Sequence, residues 1–232
     1  MKPRQEKILK TIISQYTKTS QPVGSEYLAK KITPKISSAT IRNEMADLTA
    51  RDYLGQPYTS AGRVPTDKGF QYYVKNLLVK RNLLILEKRA LKSIKQASID
   101  SPEILMKQIA KQLAALAGQL SVLAFDDSDF YYTGLSYLFS QPEFCEQDVV
   151  YSVSRVVDHL DWIMADIFSL ISDKTEILIG EKNPFSKLCG TVITRCQLPR
   201  QRSYSLMGLL GPVRMDYNRN IALIDYVKEL LS

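Results

Sequence analysis

Between Ser37 and Leu48 the chain reads Ser-Ser-Ala-Thr-Ile-Arg-Asn-Glu-Met-Ala-Asp-Leu. Wound as a helix, this segment puts Ile41, Met45 and Leu48 on one face and Ala39, Asn43 and Ala46 on the opposite one. Thr40 and Arg42 lie on the two flanks. A face of small residues lets a helix sit deep in a major groove, where alanine methyls touch thymine methyls. Arg42 suits guanine O6/N7 or a phosphate, and Asn43 suits the N6/N7 edge of adenine. Ser37 and Ser38 at the helix start offer hydroxyls and free amides to a phosphate oxygen, and either alone also fits a plain helix cap.

A second polar group follows. Thr59, Ser60 and Arg63 surround a turn tip of Ser60-Ala61-Gly62, small enough to approach a nucleic-acid backbone. Arg63 is placed to enter a minor groove or hold a phosphate, or alternatively to pair with a carboxylate such as Asp67. Lys68 and Lys75 add non-specific attraction and salt dependence.

Other reactive residue types are few. The only histidine is His159, and three cysteines, Cys145, Cys189 and Cys196, cannot complete a disulfide framework, so a reducing cytosol is expected. Zinc ligation and a Ser-His-Asp triad are disfavoured on the same grounds. Cys189 and Cys196 read as buried small hydrophobes. Asp126, Asp127 and Asp129 read as a solvated acidic loop, because neither a partner base nor a phosphate-cradling glycine loop accompanies them. No catalytic, metal or cofactor set is expected.

The 232 residues are 45% apolar and 24% charged, ordinary globular values. Residues 1–96 hold 19 Lys/Arg and 7 Asp/Glu, a net +12, and residues 97–232 carry a net −5. A basic N-terminal part on a mildly acidic remainder fits a nucleic-acid-binding unit joined to something else, although a solvated lysine-rich surface gives the same balance. No apolar run is long enough to span a bilayer, and Met1-Lys2-Pro3-Arg4-Gln5 opens no secretory signal, so no membrane association and a cytoplasmic location are expected.

The elements that must position these residues follow from periodicity. A first helix is expected over Glu6–Tyr16, through Ile8, Leu9, Ile12 and Ile13, and a short second one over Val23–Lys31. The third, capped at Ser37-Ser38, runs to about Asp52. Residues 53–58 and 62–65 form a proline-edged hairpin, and Thr66-Asp67 caps a fourth helix. Three helices and a hairpin in this order describe a winged helix-turn-helix domain.

Beyond a basic helical connector, Ser101-Pro102-Glu103 starts a helix with a stripe of Leu105, Ile109, Leu113, Leu116 and Leu120. A strand is expected at Ser121–Phe125, then a long helix from Phe144 to Ser172. Strands at 176–179, 188–196 and 204–210 and a final helix over Tyr217–Leu231 complete an α+β pattern. The domain boundaries are 1–80 for the winged helix, 81–100 for the connector and 101–232 for the remainder.

The sequence resembles the heat-inducible transcription repressors of the HrcA family. The resemblance rests on Arg4-Gln5 through Tyr73, above all residues 21–25, 37–48 and 59–69, together with Gln141-Pro142-Glu143-Phe144 and Gly211-Pro212-Val213-Arg214-Met215-Asp216-Tyr217. It implies a homodimer that binds an inverted-repeat operator, CIRCE, and represses class I heat-shock operons such as groE and dnaK. It also implies a GAF-like C-terminal domain carrying a dimerisation insert, and a chaperonin partner, GroEL. One departure stands out. Where the family carries a long segment between Phe125 and Gly134, this chain has only Asp126–Thr133. The GAF-like domain is therefore expected to be truncated, and dimerisation to fall to the long helices around Leu105–Leu120 and Phe144–Ile171. A ligand-sensing winged-helix regulator of another regulon is the alternative.

Overall fold

The computed structural model describes residues 1–79, 81–97, 101–197 and 204–231. They divide into two units, Met1–Leu78 and Val79–Ser232.

The first unit runs α1 (Pro3–Thr19), α2 (Ser25–Lys31), α3 (Ser38–Ala50), β1 (Leu54–Gly55), β2 (Val64–Pro65) and α4 (Asp67–Asn76). Helix α1 is longer than its apolar stripe predicts. Pro3 begins it, where a missing N–H costs nothing, and Ser20 ends it in the left-handed region at φ 56°. Ile8, Leu9 and Ile12 are fully buried, joined in the core by Leu28, Ile41, Leu48 and Phe70. Each such side chain contributes about 1.5–3 kcal/mol. The hairpin pairs only Leu54 with Pro65 and Gly55 with Val64. It is shorter than expected because Pro57 brings no ladder donor and Arg63 pairs with Val23 instead of β1.

The second unit is α+β. It holds α5 (Ile85–Gln96), α6 (Pro102–Ala117), β3 (Leu120–Ala124), β4 (Phe130–Thr133), α7 (Leu135–Phe139), α8 (Gln147–Asp158), α9 (Leu160–Phe168), β5 (Glu176–Ile179), β6 (Cys189–Gln197), β7 (Tyr204–Pro212) and α10 (Tyr217–Leu231). The five strands form one antiparallel sheet in the order β4-β3-β7-β6-β5. Leu120, Val122 and Ala124 alternate toward one face and meet Leu206, Leu210 and Ile193 there, under Phe144, Val153, Leu160, Met164 and Ile167. Helices α6 and α10 also pack on the sheet.

Several sequence expectations change here. Leu120 does not extend the α6 stripe: Gly118, at φ 63°, caps the helix and the chain enters β3. Met106, Ala110 and Ala114 complete the buried face instead. The single long helix from Phe144 to Ser172 is two helices sharing His159, the C-cap of α8 and the flanking residue of α9. The break lets Val153 of α8 and Leu160, Met164 and Ile167 of α9 all reach one core. Strand β4 and helix α7 were not anticipated, because four or five residues carry too little periodicity.

The stretch expected to link the domains contains α5, and its residues 98–100 lie outside the described residues. Leu91 of α5 is fully buried, and Glu87, 4% exposed, pairs with Arg219 of α10 at 2.7 Å. Helix α5 thus packs into the second unit. With the boundary at Leu78, the first unit holds 13 Lys/Arg against 6 Asp/Glu, and the second is balanced at 18 of each.

Asp126 closes the β3–β4 turn. Its carboxylate accepts from the Ser128 amide, the Ser128 hydroxyl and the Asp129 amide, each at 2.8 Å. The Ser128 amide and hydroxyl bonds hold its pKa below the ordinary carboxylate range. The two C-terminal motifs of the resemblance meet in space: Arg214 donates to Glu143, through Nη2 to Oε2 at 3.1 Å, and to Gln141 Oε1 at 2.9 Å. No helix among the described residues is long and apolar enough to cross a membrane.

Candidate nucleic-acid interface

The local sequence builds α3 from its cap. Ser37 accepts a hydrogen bond from the Thr40 amide at 3.1 Å, and the two hydroxyls lie 2.9 Å apart. Ile41, Met45 and Leu48 are buried. Ala39, Arg42, Asn43 and Ala46 are exposed, and Ser38 and Thr40 half-buried. The helix therefore presents its small, polar face outward.

Helix α1 fixes the rotation of α3. The Gln5 side chain, 1% exposed, donates to Asp47 Oδ2 at 2.6 Å and accepts from Arg51 Nη1 at 3.3 Å. Arg4 pairs with Glu44 at 3.4 Å, an exposed contact that adds little.

The hairpin is anchored from two sides. Val23 and Arg63 exchange backbone hydrogen bonds, both 2.9 Å. This close approach needs Gly62, since a Cβ there would lie 2.5 Å from the Val23 carbonyl carbon. Gln56 Nε2 donates to the carbonyls of Thr59 at 2.7 Å and Ala61 at 3.1 Å, bracing the tip. Arg63 Nε donates to Thr49 Oγ1 at 3.0 Å, so the side chain leans on α3 and not on the Asp67 carboxylate.

These contacts leave a groove of about 560 Å³ between α3, the hairpin and the start of α2. It brings together Arg42, Thr59, Ser60 and Arg63, four of the expected contact residues. Ser37, Ser38, Ala39, Thr40 and Asn43 belong to the α3 surface beyond its lining. Lys68 stands apart: its ammonium donates to the Arg51 carbonyl at 3.0 Å and lies 5.1 Å from the Tyr53 ring centroid. Sequence reasoning missed Glu26, which adds a negative charge to the groove wall, and the bracing roles of Gln5 and Gln56. A glutamine gives no periodic signal, so only the fold reveals its partners.

A three-helix core, an outward-facing third helix and a short hairpin define the first unit as a winged helix-turn-helix domain of the kind used to bind DNA. The family model described as winged helix-turn-helix transcription repressor, HrcA DNA-binding, matches residues 1–77, and that described as HrcA protein C terminal domain matches residues 70–221. The chain belongs to the HrcA family. The heat-inducible transcription repressor HrcA of Acetivibrio thermocellus is 41% identical over 124 residues, covering 53% of this chain and 35% of that protein. The HrcA of Clostridium botulinum (strain Eklund 17B / Type B) is 45% identical over 120 residues, covering 52% and 34%. The matched stretch thus spans about a third of the length of these relatives. A crystal structure described as that of a hypothetical protein at 2.2 Å resolution shares the fold, with a TM-score of 0.75 at 17% identity, covering 100% of this chain and 96% of that one.

Proposed function

We propose that the chain is a cytoplasmic, homodimeric repressor of heat-shock genes that binds a CIRCE-type inverted repeat upstream of chaperone operons. The observation that carries this reading is the outward Ala39–Asn43–Ala46 face of α3, locked from behind by Ile41, Met45 and Leu48. Inserted in the major groove, this face apposes thymine methyls and an adenine edge, while Arg42 reaches guanine or phosphate. Ser37, Ser38 and Thr40 meet the phosphates at the α3 start, and Thr59, Ser60 and Arg63 bring the hairpin to the flanking backbone. Lys68 contributes at long range. Two such helices about a two-fold axis match the symmetry of an inverted repeat.

The second unit is a reduced GAF-like domain in this reading, supported by its five-stranded antiparallel sheet with helices packed on it. The tight β3–β4 hairpin stands where the resemblance leads one to expect a long segment, which fits that reading. Modulation by the chaperonin GroEL is part of this reading, supported by the family resemblance alone. The test is a footprint of the purified chain on DNA upstream of its host's chaperone genes. Protection of two half-sites about one or two helical turns apart supports the proposal. Equal protection of unrelated DNA at the same salt defeats it.

A further inference from the structure

The proposed function requires two copies, and α8 carries an exposed stripe with opposite charges at its two ends. Asp148, Tyr151, Ser152 and Arg155 are exposed at helical spacings of three and four, so they line one stripe of α8. Tyr151 is 68% exposed at the centre of that stripe. Neither Asp148 nor Arg155 takes part in an ion pair among the described residues. A hollow of about 310 Å³, lined by Tyr151, Ser152, Arg155, Val156, His159 and Ile163, lies beside it.

We propose that α8 is the seam of a two-fold homodimer, packed antiparallel against α8 of a second copy about an axis between Tyr151 and Ser152. The inference rests on the homodimer reading and assigns its surface. In a two-fold interface, residue i meets j and j meets i. An axis at that point puts Asp148 opposite Arg155 of the second copy, twice. It also puts each Tyr151 over the partner's Ser152–Arg155–Val156 hollow, the aromatic-in-pocket arrangement that anchors interfaces. Sliding the axis one turn toward either end apposes Arg155 with itself or Asp148 with itself, so like charges oppose those registers. One pair of 12-residue helices buries less than the roughly 800 Å² per partner of a standard interface. The dimer is therefore modest in solution, and an inverted repeat strengthens it by holding two copies together.

The test is sedimentation equilibrium of the whole chain, free and on inverted-repeat DNA, as parent, Asp148→Arg, Arg155→Asp and the double reversal. Each single reversal should weaken self-association, or cooperativity on the repeat, by about tenfold or more, and the double should restore it. Thermal unfolding should stay unchanged, since both positions are exposed. If a single variant fails to fold, Tyr151→Ser supplies the same comparison, with weakened association expected. A parent that dimerises equally well with either single reversal or with Tyr151→Ser overturns the seam but leaves the homodimer reading standing, as does a double that fails to recover. A parent that is monomeric in solution and binds the repeat as independent copies overturns both.

Discussion

The Gln5 amide of α1 donates to the Asp47 carboxylate of α3 at 2.6 Å, across 42 residues of sequence. The oxygen of that amide accepts from Arg51, so one buried side chain clamps Asp47 in the last turn of α3 and Arg51 just beyond it. Replacing it tests whether α3 is held from behind. Gln5→Ala should destabilise the chain by about 1–2 kcal/mol, the worth of the lost hydrogen bonds. Gln5→Glu should cost more at neutral pH, because it sets a carboxylate against Asp47 in place of a donor. Urea unfolding midpoints of the two variants check the order.

Arg42 is exposed and lines the groove, so its removal should spare stability and strike binding. Arg42→Ala should weaken operator affinity by about 1–3 kcal/mol if the guanidinium reads a base. A gel shift in which this variant matches the parent would take Arg42 out of the interface.

Two glycines three elements apart make opposite forecasts. A Cβ at Gly62 meets the Val23 backbone, and one at Gly24 meets nothing within 4 Å. Gly62→Ala should lose about 1–3 kcal/mol by overpacking and loosen the hairpin, while Gly24→Ala should stay within about 0.5 kcal/mol. Thermal melts of both, with DNA titrations alongside, separate hairpin anchoring from general loop tolerance.

The buried thiols give a chemical check on the second unit. Burial pushes Cys189 and Cys196 each up to about 12, whereas Cys145 is exposed. Iodoacetamide at pH 8 should therefore modify Cys145 alone in the native chain and all three cysteines in denaturant, read by intact mass. With folded pKa values raised above the ordinary 9.0, these thiols stabilise the fold below pH 9 and lose that contribution as pH rises toward 12.

What the sequence alone determined was local. The Ser37 cap, the Ile41–Met45–Leu48 stripe, the Ser101-Pro102 helix start and the bounds of α10 need only neighbours within a turn or two, and all were legible. So was the outward face of α3, since burying one stripe of a short helix exposes the other. Tertiary structure decided everything that depends on residues distant in the chain. It set Arg63 on Thr49, Gly62 against Val23 and Arg214 on Glu143, broke the expected long helix at His159 and drew α5 into the second unit. Periodicity reports which face of an element is apolar, and hydrogen bonds across 14 to 71 residues exist only after the chain has closed those loops.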